Sequence, residues 1–214
     1  MDLTAIGRCL YDVIAGRGAD DVAFEIIAAV DRNTSFITHF AEAERRRSGR
    51  MTRVQAKIRE HLESFVGKAD RKAVMKAVWE VLSETLEGAI QAHLWSDEHK
   101  LYPPVIAWLK PMEITHRTVN SQKPRTPQNP LFEVNCLDML LRHCLKEHTR
   151  ETIAFPKRRQ HSIYRMAILL VWRNYVKLRR EKRCKHTPAM LLGLTDRPLT
   201  EEEVLWRRLF VTRI

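Results

Sequence analysis

The chain lacks several things whose absence narrows the field. No apolar run approaches the ~18 residues that a membrane-spanning helix needs; the longest, ending at Trp172, falls far short. Glycine (7) and proline (9) are too few among 214 residues for a collagen-like or low-complexity chain. The start, Met-Asp-Leu-Thr, has no basic segment leading into an apolar one, so no secretory leader is expected. The four cysteines, Cys9, Cys136, Cys144 and Cys184, form no C-x-x-C pair and match no zinc module. They read as free thiols of a reducing compartment. A glycine-rich phosphate loop is missing, which argues against nucleotide hydrolysis and a nucleotide cofactor. No nucleophile elbow supports serine or cysteine catalysis.

What is present is positive charge, placed unevenly. The chain carries +11 overall. From Arg142 to Ile214 there are 18 Lys and Arg against 7 Asp and Glu, whereas the first 141 residues hold 19 of each sign. All of the excess lies in the last third. A polyanion is the natural partner of such a surface.

Periodicity predicts a mixed α/β chain. Residues 1 to 21 read as a short helix and a glycine break. Phe24 to Val30 is nearly continuous apolar sequence, the pattern of a strand buried on both faces. A turn at Arg32-Asn33 leads into a returning strand, Thr34 to Phe40, and Ala41 to Gly49 reads as a charged turn. Helical spacing follows at Val54, Ile58, Leu62 and Phe65, and again at Val74, Val78, Val81, Leu82 and Leu86. Ala89 to Trp95 reads as a strand, Pro103 to Trp108 as a short helix and Glu113 to Val119 as an edge strand. Asn120 to Pro130 reads as a flexible loop, Leu131 to Lys146 and Gln160 to Arg180 as helices, and Glu201 to Phe210 as a terminal helix. Trp95, Trp108, Trp172 and Trp206 sit in apolar patterns and are assigned to the core. His39 and His93 fall on candidate central strands.

Asp31 and Asp97 each follow a predicted buried strand. Carboxylates at the ends of neighbouring strands are held on rigid backbone and can share divalent cations, with oxygen ligands suited to Mg²⁺.

The residues around them resemble a known family. Val30-Asp31-Arg32-Asn33, Ser96-Asp97-Glu98-His99-Lys100-Leu101-Tyr102, and Leu141-Arg142 followed by Arg150-Glu151-Thr152-Ile153-Ala154-Phe155-Pro156-Lys157 look like the catalytic core of bacterial insertion-sequence transposases of the DDE class. Arg173-Asn174-Tyr175 and Thr187-Pro188-Ala189 through Gly193-Leu194 are similar to the tail of such enzymes. The resemblance implies a ribonuclease-H-like mixed sheet with flanking helices over 24–160. Residues 1–23 would be an N-terminal extension and 161–214 a basic helical C-terminal one. It implies two Mg²⁺ (or Mn²⁺) ions, and phosphodiester cleavage and strand transfer on double-stranded DNA, in the nucleoid-associated cytoplasm of a bacterium. It places Asp31 and Asp97 as metal ligands and Asn135 in the third slot, usually glutamate, with Asp138 or Glu133 as substitutes and Glu151 further off. A neutral Asn carbonyl in that slot points to the alternative, a non-catalytic, transposase-derived DNA-binding protein.

The family usually carries an N-terminal end-reading module, and only 30 residues precede Asp31. A separate end-recognition subunit is one expectation from this, and the resemblance implies a homodimer because two DNA ends must be joined. The 66 positions from Asp31 to Asp97 exceed the family spacing, and the helix Val54 to Phe65 looks like an insertion. Phosphate contacts are expected from His116, Lys123, Arg125, Arg142, Arg150, Lys157, Arg158, Arg159, Arg173, Lys177 and Arg180.

Overall fold

The computed structural model describes residues 5–9, 23–45, 51–148, 159–180 and 183–206. Five strands form one mixed sheet: β1 (Ala5–Cys9), β2 (Ala23–Val30), β3 (Ile37–Arg45), β4 (Gln91–Ser96) and β5 (Glu113–Thr118). Their order is β3-β2-β1-β4-β5. β1, β2 and β3 pair antiparallel, whereas β4 runs parallel to both β1 and β5.

The apolar run in β2 is explained by two cores, one on each face. Ile27 and Ala29 point to one side, where α2 (Ala73–Thr85) packs Ala77, Val78, Val81 and Leu82, and α3 (Tyr102–Ala107) packs Tyr102 and Val105. Phe24, Ile26, Ala28 and Val30 point to the other. There α4 (Phe132–Cys144) brings Val134, Leu137 and Leu141, and α5 (Arg159–Val171) brings Met166 and Leu169. Each fully buried branched side chain here stabilises by about 2 kcal/mol relative to exposure. The architecture is helices on both faces of a mixed α/β sheet.

Three expectations change. Ala5–Cys9 is a strand, not part of a helix, and it lies inside the sheet. The chain ahead of residue 24 therefore supplies a central strand rather than an extension. β3 continues to Arg45 because Ala41 and Ala43 alternate inward against Glu42 and Glu44, so the stretch read as a charged turn is still strand. The last long helix stops early: α5 ends at Val171, a π-helical turn covers Trp172–Val176, and the backbone at Lys177 is extended.

The reason for that stop is Asn174, which is fully buried. Its Oδ1 accepts from the Ile37 amide at 2.9 Å and its Nδ2 donates to the Ile37 carbonyl at 2.9 Å. One side-chain amide thus replaces a strand partner at the start of β3 and ties the basic segment to the sheet. After it come α6 (Pro188–Leu191), capped by Thr187, and α7 (Glu201–Trp206). The Asn120–Pro130 connection is pinned by the buried Asn129. Its side chain donates to the Pro124 carbonyl at 2.9 Å and accepts from the Leu131 amide at 2.9 Å. Trp95 and Trp172 pack partly buried on the second core, whereas Trp108 and Trp206 are exposed. Among the described residues no helix is long and apolar enough to cross a membrane.

Replacing Asn174 by Ala leaves both polar groups of Ile37 buried without partners. The expected loss is about 3 kcal/mol of unfolding free energy in urea denaturation.

Candidate nucleic-acid interface

Between β2 and β3 the chain reverses in a turn built by Asp31. The Oδ1 atom of Asp31 accepts from the amides of Asn33 (3.1 Å) and Thr34 (2.7 Å) and from the Thr34 hydroxyl (2.6 Å). The Asp31 amide donates to the Phe36 carbonyl at 2.8 Å. This closure holds Ser35 at φ 63°, a left-handed conformation uncommon for a residue other than glycine. Asp31 itself is buried.

Ser35 meets a helix and the basic segment. Its hydroxyl donates to Glu133 Oε2 at 2.5 Å and accepts from Arg179 Nε at 2.7 Å. Arg179 Nη2 also donates to Glu133 Oε1 at 3.0 Å, a pair whose side chains are 19% and 13% exposed. Glu133 is in the first turn of α4, where the helix dipole favours a carboxylate. The triad walls a cleft of about 470 Å³. Arg173 and Arg179 are half-buried at its floor, and Arg180 and Arg183 are exposed at its mouth. Arg173 is held in place by the carbonyls of Leu178 (3.4 Å) and Arg179 (3.3 Å). Burial pushes its guanidinium below the usual range, and Glu133 partly offsets this. Cys136 also lines the cleft. Burial first, and then Glu133, push its thiol up and keep it protonated and unreactive. Four arginines therefore share one cleft with one glutamate.

The expected metal ligands are placed differently. Asp31 and Asp97 were expected on neighbouring strands, but β1 lies between β2 and β4. Val30, Ala5 and Trp95 form one row across the sheet. From that row β2 and β4 run in opposite directions, so Asp31 and Asp97 diverge. Two strand spacings sideways and about three residues along put their backbones roughly 14 Å apart, with β1 between the strands that carry them. Asp97 is half-buried, and its Oδ1 accepts from the His99 amide at 3.2 Å. Asp138 Oδ2 pairs with Arg142 at 2.9 Å, one turn on, while its Oδ1 is buried with no hydrogen-bond partner among the described residues. Asn135 and Asp138 do not line the cleft; Glu133, 200° round the helix from Asn135, does. Among the described residues, no three His, Cys, Asp or Glu side chains are grouped to hold a metal ion. As arranged here the expected carboxylates do not fit a two-magnesium site: the Oδ1 of Asp31 closes a turn, and Glu133 is shared by Ser35 and Arg179.

Of the expected phosphate-contacting residues, Arg173 and Arg180 converge in the cleft. Lys123 and Arg125 are exposed on the Asn129-pinned connection. Lys177 sits over the Trp172 ring at 5.6 Å. His116 is on the edge strand, its Nε2 2.8 Å from the Ser96 hydroxyl. That hydroxyl gives its own proton to the Asp97 carbonyl, so Nε2 carries the hydrogen. Burial pushes His116 below the usual histidine range. Arg150, Lys157, Arg158 and Glu151 lie outside the described residues, as does the side chain of Arg159. Beside Asp97, Trp95 is faced by two guanidinium groups, Arg32 at 4.7 Å and Arg117 at 5.2 Å from its ring centre.

Sequence reading missed Ser35, Arg179, Arg183 and the structural part played by Asn174. Arg179 and Arg183 carried only the signal of a basic run. Ser35 carried none, because its role rests on a positive φ set by Asp31.

No family model matches the chain, and no curated protein matches it. A chain in the cryo-EM structure of a simian T-cell lymphotropic virus intasome in complex with PP2A regulatory subunit B56 gamma aligns with a TM-score of 0.44 and 12% identity. The alignment covers 89% of this chain and 53% of that one, so this chain spans about half its length. A likeness at that level assigns nothing to this chain.

The turn and the edge histidine each give a measurable outcome. Asp31→Ala removes an acceptor of three hydrogen bonds and is expected to cost about 2 kcal/mol in chemical denaturation, whereas Asp31→Asn, which keeps an oxygen acceptor, costs less. For His116 the folded form disfavours the proton, so the unfolded chain binds more protons as pH falls below the ordinary histidine value of 6.5. Stability is expected to decline below that pH, and thermal unfolding of His116→Asn is expected to show a smaller decline.

Proposed function

We propose that the chain is a DNA-binding protein of the transposase type, which holds the phosphate backbone at the arginine cleft. The observation that supports this reading is the convergence of Arg173, Arg179, Arg180 and Arg183 on one cleft. Guanidinium forks match phosphate oxygens in pairs and keep their charge at any physiological pH. Ser35 and Glu133 hold Arg179 in one orientation, which lowers the ordering cost when a phosphate arrives. The exposed pair at the mouth makes first contact. Contacts of this kind position the duplex and carry little sequence information. One mixed sheet, antiparallel over β1, β2 and β3 and parallel over β1, β4 and β5, with helices on both faces, supports the ribonuclease-H-like fold reading.

The second reading is the enzyme: DNA cleavage and strand transfer with two Mg²⁺ or Mn²⁺ ions. It is favoured by the series of transposase-like motifs and by the position of Asp97 directly after β4, next to the central strand. It requires a carboxylate other than Asp31, as placed, to meet Asp97.

Fluorescence anisotropy with a duplex of arbitrary sequence tests the first reading. Arg180→Ala/Arg183→Ala is expected to weaken binding at least about tenfold and to reduce the slope of log K against log salt by about 2. Unchanged affinity and slope would refute the cleft as the DNA site. A nicking assay with Mg²⁺ or Mn²⁺ on the same protein tests the second reading. Cleavage lost in Asp97→Ala with binding retained establishes an enzyme; binding without cleavage leaves the binding protein.

A further inference from the structure

The arginine cleft has a second character, which the backbone of a duplex leaves unused. Part of its wall is apolar, built by Val30 of β2, Ile37 of β3 and Phe132, Leu137, Met139 and Leu140 of α4. Phe132 and Leu140 are half-buried, and Met139 is 65% exposed. The guanidinium groups stand at two depths. Arg180 and Arg183 are exposed at the mouth, whereas Arg179 is half-buried at the floor. Ser35 and Glu133 take Nε and Nη2 of Arg179, which leaves its Nη1 without a hydrogen-bond partner among the described residues. A duplex presents its phosphates on a convex surface, each diester continuing into its neighbours. It can meet the two arginines at the mouth, but it cannot carry a phosphate to the floor or cover the apolar wall. A chain end whose last nucleotide is unpaired can do both. An unstacked base buries its faces against apolar and thioether side chains, and a cleft of about 470 Å³ is of the size that closes around a small ligand.

We infer that the cleft takes a DNA chain end: an unpaired terminal nucleotide that carries a phosphate monoester, with its base on the apolar wall and its phosphate on Arg179. Arg180 and Arg183 then hold the diesters that follow. This rests on the reading of the cleft as the DNA site and names which part of the DNA enters it. Charge favours an end over an internal position. A phosphate monoester carries about −1.5 to −2 at pH 7, whereas an internal diester carries a single charge. Four guanidinium groups face one carboxylate in the cleft, so the more highly charged group gains more. Oriented donors at a half-buried floor also act at shorter range and with less screening than the exposed pair.

Fluorescence anisotropy on the full chain tests it, with one duplex made blunt or with a short single-stranded overhang, each form ending in a hydroxyl or in a phosphate. The phosphorylated overhang is expected to bind at least about tenfold more tightly than the same overhang ending in a hydroxyl; a gain of that size at either the 5′ or the 3′ end supports the inference. Met139→Ser is expected to lower the preference for the phosphorylated overhang over the blunt duplex about fivefold, and because Met139 is solvent-facing the thermal midpoint stays at the parent value. Equal affinity for phosphate and hydroxyl ends, or a preference untouched by Met139→Ser, would overturn the inference. If blunt-duplex binding still falls in Arg180→Ala/Arg183→Ala, the cleft remains the DNA site and only the chain end is refuted; indifference of every form to that double variant refutes both.

Discussion

Asn174 and Ile37 lie 137 positions apart, and the two hydrogen bonds between them fix where the basic part of the chain sits. Together with the Arg179 amide, which donates to the His186 carbonyl at 2.9 Å, that clasp holds the segment after α5 out of a continuing helix. With it, the π-helical turn brings Arg173 and Arg179 under the β2–β3 turn, and Leu199 then bonds back to the Tyr175 carbonyl. The cost of leaving a buried strand terminus unpaired makes the arrangement specific: a side-chain amide supplies both a donor and an acceptor, as a neighbouring strand would.

The cleft follows from this placement through electrostatics. Four guanidinium groups in one concavity repel one another, and the folded chain offsets part of that repulsion with Glu133 and with carbonyl acceptors around Arg173. What remains is a positive surface with one arginine already oriented. On the proposed reading such a site attracts phosphate at long range and loses attraction in salt. Asp31 contributes here through the backbone: its carboxylate closes the turn that presents Ser35 to Arg179. A residue that reads in sequence as a metal ligand thus serves the cleft by holding a conformation.

Two surfaces point away from the core and have different chemistry. The arginine cleft suits a polyanion, whereas Val54, Ile58 and Phe65 of α1 (Arg53–Val66) form an exposed apolar stripe.

Local pattern made most of the fold legible. The double-sided apolar run of β2, the helical stripes of α2 and α4, the Pro-led α3 and the edge strand β5 follow from side-chain period and turn chemistry, which act over a few residues. The excess of positive charge in the last third points to a polyanion by composition alone. Pairing across the sheet was not legible. That Ala5–Cys9 enters between β2 and β4, separating Asp31 from Asp97, depends on hydrogen bonds between segments some 20 and 90 residues apart. The apolar spacing of Val54, Ile58 and Phe65 was visible as a helical stripe, but period alone does not say which side of a helix meets the core. Residue order was enough to set most segments as strand or helix and to place the charge, because those properties are local. Which carboxylates meet, which arginines converge and which stripe stays exposed emerged only in the folded chain, because each is a relation between surfaces distant along the polymer.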